Sequence, residues 1–103
     1  MNRKAFILSF DNSVNSDLLH NIIITMQSGG YISNWAKHLS NSYFFVSHLD
    51  SYQLNSLMGN MIVDAMKKYF ISEINLNNYN GWLPQESWDW FRAQKLTVNN
   101  PWF

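Results

Sequence analysis

Apolar residues near the start of the chain follow two spacings, one typical of a strand and one of a helix. Lys4–Phe10 is short, apolar and aromatic, which predicts a buried strand ended by the turn-forming segment Asp11-Asn12-Ser13. Ser16 is a candidate helix N-cap, and Gly29-Gly30 is a candidate stop. Between them, apolar residues recur at helical spacing: Leu18, Leu19, Ile22, Ile23 and Met26. The pattern therefore predicts a strand followed by a helix.

The next segment predicts a hairpin. Tyr31–His38 and Ser42–His48 are strand candidates, separated by the turn-rich residues Leu39-Ser40-Asn41-Ser42. The run Tyr43-Phe44-Phe45-Val46 is continuously apolar, so the second strand of the hairpin is expected at the centre of the sheet.

A second helix and a fourth strand follow. Asp50 lies three residues before Gln53, which is the spacing of a capping box. Apolar residues then recur at i, i+3 and i+4 from Leu54 to Tyr69, which predicts one long amphipathic helix. Tyr69–Leu76 alternates from Phe70 onward and predicts the fourth strand.

The C-terminal quarter of the chain is rich in Trp. Residues 77–81 predict a loop, and Pro84 suits the first position of a short helix in which Trp88 and Phe91 share a face. The last residues, ending in Trp102 and Phe103, predict an extended tail. We interpret residues 1–103 as one domain, with a core at about 4–76 and an aromatic elaboration at 77–103.

The element order is that of a split βαβ arrangement. It predicts an α+β, ferredoxin-like βαββαβ fold: a four-stranded antiparallel sheet with two helices on one face, followed by a short C-terminal helix and a tail. The other face of the sheet is expected to stay open, where folds of this kind commonly dimerise or bind ligands.

Composition and charge disfavour some classes of function and favour others. The formal net charge is zero and only 14% of residues are charged, against about 25% in typical domains. Phosphate-binding surfaces need clustered Lys and Arg, so strong unspecific nucleic-acid binding is disfavoured. Low charge and 17% aromatic residues instead favour self-association or a protein partner. There is no cysteine, and no segment has the pattern of a signal peptide or membrane span, so we expect a cytoplasmic protein without membrane association.

One local pattern resembles a known superfamily. Strand one ends in the pair Phe10-Asp11 and leads directly into a helix, and a Trp-bearing second strand hairpins into Asn41-Ser42-Tyr43-Phe44-Phe45-Val46-Ser47. Over residues 4–76 this resembles the ferredoxin-like superfamily that holds the small CRISPR-adaptation subunit, virulence-associated protein D and short SinR-annotated proteins. The resemblance implies a homodimer built through the sheets. In some members it implies a metal-dependent RNA or DNA endonuclease whose ligand is the Asp that ends strand one; others are scaffolds.

Asp11 is the residue that matches this ligand. One carboxylate from each subunit would hold Mg²⁺ or Mn²⁺, with waters completing the coordination. The alternative is an Asp that opens the turn Asp11-Asn12-Ser13 or caps the next helix. The segment Gly81–Trp90 has no counterpart in the nuclease members, and no cofactor is expected outside the nuclease hypothesis.

Other catalytic patterns are absent from the sequence. His20, His38 and His48 match no metal-ligand spacing, and Gly29-Gly30 lacks the spacing of a phosphate-binding loop. No nucleophile elbow occurs either. The sequence therefore favours a protein that is not an enzyme.

The aromatic cluster of Trp82, Trp88, Trp90 and Phe91 is the candidate partner-binding surface. The alternative is that these rings cover the open sheet face or a dimer mate and complete the core. The first hypothesis is a homodimeric interaction or scaffold protein, for instance one from a phage or mobile element that acts on a host defence complex. The second is the metal-dependent nuclease, and the third is a small-molecule module on the open sheet face.

Overall fold

The computed structural model describes residues 3–62, 67–75 and 78–94. These residues form an α+β structure with a four-stranded antiparallel sheet and three helices. No helix among them is long and apolar enough to cross a bilayer. In chain order the elements are β1 (Lys4–Phe10), α1 (Ser16–Ser28), β2 (Asn34–Leu39), β3 (Ser42–Ser47), α2 (Ser51–Gly59), β4 (Tyr69–Glu73) and α3 (Gln85–Ala93).

The sheet order is β2-β3-β1-β4, so the two most apolar strands are central. β1 pairs with β3 from Lys4↔Ser47 to Ser9↔Ser42, and β3 is buried along its whole length, as its apolar run predicts. β2 and β4 are the edges. β2 pairs irregularly with β3 between Ala36 and Leu39, whereas β4 keeps an unbroken register with β1.

The main core lies between one face of the sheet and helices α1 and α2. We call this the first face. Alternate strand residues point into this core, where Phe6 and Phe45 stack with ring centroids 5.5 Å apart. The buried members are Phe6, Leu8, Phe10, Val14, Leu19, Ile22, Ile23, Met26, Ile32, Tyr43, Phe45, Leu54, Met58 and Ile62.

α1 begins one residue earlier than predicted. Asn15, not Ser16, is the N-cap, and its Oδ1 accepts hydrogen bonds from the backbone N–H groups of Asp17 (3.0 Å) and Leu18 (3.1 Å). The predicted stop is confirmed. Gly30 adopts φ 80°, a left-handed conformation that favours glycine and turns the chain towards β2.

The capping box that opens α2 is confirmed, but the predicted helix from Leu54 to Tyr69 is too long. Asp50 accepts from the Gln53 N–H at 2.8 Å, and the Gln53 side chain accepts from the Asp50 N–H at 3.0 Å. α2 ends at Gly59, and a turn follows. Gly59 and Asn60 are weak helix formers, and they override the apolar period. The rest of the predicted stripe at 63–66 lies outside the described residues.

The strand ends also differ from the prediction. β2 begins at Asn34 rather than Tyr31, because the Tyr31 carbonyl accepts from the Ser47 hydroxyl at 2.6 Å instead of joining the ladder. The same hydroxyl accepts from the Leu49 N–H at 3.0 Å, which ends β3 at Ser47 rather than at His48. β4 ends at Glu73, and Leu76 lies outside the described residues.

The expectation of an open second sheet face is wrong, and the alternative that aromatic rings of the C-terminal segment cover this face is confirmed for Trp90 and Phe91. Ala5 and Val46 form a small buried cluster there, against which Tyr79 and Trp90 pack. Phe91 of α3 meets Phe44 edge-on at 5.3 Å. Burial of apolar area is favourable at about 25 cal/mol per Å², which explains why the aromatic segment folds onto these apolar strand residues.

Candidate functional site

Helix α3 is fixed on the second face by polar contacts at both of its ends. Near its start, Ser87 Oγ lies 2.8 Å from His38 Nδ1 of β2. Beyond its end, the buried Gln94 side chain accepts from Asn34 Nδ2 at 2.8 Å, and the Gln94 carbonyl accepts from Arg3 at 2.9 Å. α3 therefore runs along β2 in the opposite direction. Partly buried polar contacts at both ends of the helix define one docking position for it.

α3 begins immediately after Pro84, which is the N-cap rather than the predicted first helical residue. Pro84 makes no side-chain capping contact, and its φ of −56° suits entry into a helix. Ser87, Phe91 and Gln94 follow at the spacing of one helical face, and all three are buried against the sheet.

The four residues predicted as a partner-binding cluster have different environments. Phe91 is 2% exposed and is part of the core. Trp90 is half-buried against Ala5 and Val46. Trp88 is half-buried, and its ring centroid lies 6.1 Å from that of Phe91. Trp82 is 100% exposed. The tail residues Trp102 and Phe103 lie outside the described residues.

A cleft of about 340 Å³ lies between the second sheet face and the segment 79–83. Its floor includes Ile7 and Phe44, and Trp82 and Leu39 lie at its exposed rim. Apolar clefts with a few polar groups are typical binding sites. We call this site the aromatic cleft; it is lined by Ile7, Leu39, Phe44, Ile74, Tyr79, Asn80, Gly81, Trp82, Leu83, Trp88 and Phe91.

His38 is a titratable group beside the cleft, where its ring packs against the lining residues Phe44 and Phe91. Burial lowers its pKa below the ordinary value, and the Glu86 carboxylate offsets part of this effect. Its Nε2 atom is buried and has no hydrogen-bond partner among the described residues. In the neutral tautomer in which Nδ1–H donates to Ser87, Nε2 carries only a lone pair and no buried donor is left without an acceptor. Protonation would place an N–H there without an acceptor, so the geometry favours neutral imidazole.

The His38–Ser87 pair is structural rather than nucleophilic. Ser87 is 1% exposed, so a substrate cannot reach its hydroxyl. The imidazole lies among rings, with centroids 5.3 Å from Phe44 and 5.5 Å from Trp90. The pair joins β2 to α3 and supplies no accessible base.

Asp11 lies at the end of β1, where it forms the predicted turn contacts. Its Oδ2 accepts from the Ser13 hydroxyl at 2.5 Å and from the Ser13 N–H at 3.0 Å. These hydrogen bonds, chiefly the one from the hydroxyl, lower the pKa of Asp11, and Lys68 adds a smaller effect in the same direction. The side chain is exposed and ionised at neutral pH.

The other two histidines, His20 and His48, have different environments and do not lie together in one site. His20 Nδ1 lies 3.2 Å from the Tyr43 hydroxyl, and the His20 ring meets Trp35 edge-on at 5.1 Å. His48 is exposed beyond the end of β3. In the described parts of the chain, no three His, Asp or Glu side chains are grouped so that they could hold a metal ion.

Sequence reasoning missed the residues that fix α3. The signal for Ser87 and Gln94 was present, because they lie four residues before and three after Phe91. The partner of each, His38 or Asn34, comes from β2 and has no local signature.

No protein-family model matches the chain, and neither a curated protein nor a solved structure matches it.

Proposed function

We propose that the chain is a small interaction protein that binds a protein partner at the aromatic cleft, with Trp82 as the anchor side chain. The observation that carries the proposal is a wholly exposed indole at the rim of an apolar cleft. Trp is one of the side chains enriched among binding hot spots, together with Tyr and Arg, and exposed apolar surface beside a cleft is typical of an interaction site. Trp88 and Phe91 line the cleft, whereas Trp90 packs against Ala5 and Val46 and does not line it.

The fold that we propose is ferredoxin-like, and the assembly is a homodimer. The order βαββαβ within residues 4–73 and the sheet order β2-β3-β1-β4 support that fold. A net charge of zero supports self-association. A phage or mobile-element protein that acts on a host defence complex in the cytoplasm is the setting we propose, supported by the small size and the Asn-rich composition.

A protein partner suits this cleft better than a nucleic acid. Stacking on single-stranded bases normally accompanies a basic groove. Within the described residues, the cleft lining contains no Lys or Arg.

Selection of peptides from a random library against the native protein tests the proposal. We expect selected peptides to carry apolar or aromatic anchors. They should bind Trp82→Ala at least tenfold more weakly than the native protein, because truncation of a hot-spot side chain costs about 2 kcal/mol or more of binding free energy. Tyr52→Ala is the matched control, since Tyr52 is 83% exposed on α2 and does not line the cleft. Peptides that bind both variants equally well would refute the cleft as the site.

The second candidate is a Mg²⁺- or Mn²⁺-dependent endonuclease of RNA or DNA. The observation that favours it is the exposed, ionised Asp11 at the end of β1, where a two-fold axis would bring two carboxylates together. The test measures cleavage of single- and double-stranded RNA and DNA with each metal. Cleavage by the native protein that is lost in Asp11→Asn and kept in Asp17→Asn, an exposed control on α1, would establish it. Absence of metal-dependent cleavage, or cleavage unchanged in Asp11→Asn, would leave Asp11 as a turn residue.

A further inference from the structure

We infer that the open edge of β4 is the surface through which two copies of this chain associate, by antiparallel pairing of β4 with β4 about Ile71. The inference rests on the homodimer proposed above and assigns its interface. Helices α1 and α2 cover the first face of the sheet, and α3 covers the second. Among the described residues, the backbone of the sheet is therefore uncovered only at its two edges.

The two edges differ in their suitability for pairing. β2 is irregular between Ala36 and Leu39, a feature that discourages strand addition. β4 is regular over its five pairs with β1, from Phe10↔Tyr69 to Phe6↔Glu73. A regular edge strand with exposed apolar side chains is a template for another strand.

The backbone groups of β4 that point away from β1 can be identified. The Lys68 carbonyl accepts from Asp11 N–H at 3.0 Å, and Ile74 N–H donates to the Ala5 carbonyl at 2.8 Å. Because such groups alternate along a strand, those of Tyr69, Ile71 and Glu73 point to the open edge. A two-fold axis at Ile71 would place Ile71 opposite its copy and Tyr69 opposite Glu73, giving about six hydrogen bonds.

Charge selects the antiparallel arrangement of a second copy. The strand is preceded by Lys67 and Lys68 and ends at Glu73. The Glu73 carboxylate lies 3.8 Å from Lys4 Nζ of its own chain, and antiparallel pairing about Ile71 also brings it diagonally across from Lys67 of the other copy, whereas parallel pairing would align like charges. The edge is thus complementary to itself in one direction only.

The side chains along this edge match the same arrangement. Phe70 is 68% exposed and, opposite Ser9 in the register, lies on the second face, where it would meet Ser72 and reach Phe70 of the other copy. A depression of about 250 Å³ lies beside the edge, between β4 and the start of α2, and the 83% exposed Tyr52 lines it. A second strand would cover both exposed rings.

A charge exchange measured by sedimentation velocity tests the interface. Glu73→Lys and Lys67→Glu each place like charges across the axis, so we expect each variant alone to dimerise about tenfold more weakly than the native chain. Mixed together, the two variants restore opposite charges across the axis at both positions, so the heterodimer should bind more tightly than either variant binds itself; the Lys4–Glu73 ion pair within the chain stays lost in Glu73→Lys. Asn21→Lys, at an exposed position of α1 away from both the β4 edge and the cleft, is the control that should dimerise normally.

Cross-linking gives a second readout that does not depend on charge. Because the chain has no cysteine, Ile71→Cys would introduce one thiol per copy, facing its counterpart across about 5.5 Å between Cα atoms. We expect a covalent dimer on oxidation, and none from Ser56→Cys on the exposed side of α2. If the native chain is a dimer, but the charge variants dimerise as strongly as it does and Ile71→Cys forms no covalent dimer, the β4 interface is refuted and the homodimer still stands. A native chain that is monomeric at millimolar concentration would overturn both, while peptide binding at Trp82 would still report on the cleft.

Discussion

Replacement of Phe91 by Ala tests whether the aromatic segment is part of the folded core. Phe91 is 2% exposed, and its ring lies 5.2 Å from that of Trp90 and 5.3 Å from that of Phe44. Truncation of a buried Phe to Ala destabilises a domain by about 3–5 kcal/mol through lost transfer energy and the cavity that remains. We expect a value near 3 kcal/mol, because the cleft beside Phe91 allows neighbouring rings to close part of the cavity.

Urea unfolding of the native chain and two variants measures this loss. Trp82→Ala is the matched control, because Trp82 belongs to the same segment but is 100% exposed, and we expect a change within about 0.5 kcal/mol. The dependence of unfolding free energy on urea separates two mechanisms. An unchanged slope means that α3 stays docked around a cavity, whereas a smaller slope means that α3 has left the sheet before unfolding.

A loss below about 1 kcal/mol for Phe91→Ala with an unchanged slope would refute the reasoning, since a surface ring costs no more than that. A loss of unfolding free energy in Trp82→Ala as large as that in Phe91→Ala would also refute the reasoning. It would mean that the exposed indole carries native contacts which this structure does not contain.

Three further predictions follow from single contacts. Burial lowers the pKa of His38, so the unfolded chain binds the extra proton more readily than the folded chain. The contribution of neutral His38 to the free energy of unfolding should be complete above about pH 6.5 and should fall as the pH drops below it. Urea unfolding at pH 7.5 and 5.5 measures this fall, which should be smaller in His38→Gln. Ser47→Ala removes the partner of both the Tyr31 carbonyl and the Leu49 N–H and should cost about 1–3 kcal/mol in the same assay, whereas an unchanged midpoint would contradict this role. Asp50→Ala removes half of the α2 capping box and should lower stability by about 1 kcal/mol. Asp17→Ala is the control, because Asp17 also lies at the start of a helix but its side chain is not the cap; equal losses in the two variants would argue against capping.

The sequence predicted the elements whose determinants are local. Lys4–Phe10 was predicted to the residue, and the capping box at Asp50 was predicted from spacing alone. The predicted ends of elements are wrong where a side chain binds a backbone group that would otherwise pair in the sheet, or where a weak helix former lies within an apolar helical pattern. Ser47 takes the Tyr31 carbonyl from the ladder, and Gly59 ends α2 inside its apolar stripe. Such competition between one contact and a longer pattern leaves no periodic signal.

The second sheet face was predicted incorrectly for a different reason. The residues that needed cover were visible in the sequence, since Ala5, Ile7, Phe44 and Val46 alternate with the first-face residues. The sequence offered the C-terminal rings as one alternative for this cover, but local patterns could not decide between that packing and an open face. The packing depends on contacts between Asn34 or His38 and residues more than forty positions later in the chain. Asp11, in contrast, sits in the local turn that the sequence offered as one of its two alternatives.

The double role of the aromatic segment decides how its function can be tested. Ser87, Phe91 and Gln94 hold α3 against the sheet, while Trp82 at the cleft rim makes no comparable buried contact. Deleting residues 79–94 would expose apolar strand residues such as Phe44, so loss of binding in the deletion would follow from lost folding as readily as from a lost site. Binding and folding separate only at the rim, where a substitution at Trp82 changes the recognition surface and leaves the α3 contacts in place. A Trp82 variant that folds like the native chain and fails to bind is therefore the observation that would assign recognition to the cleft.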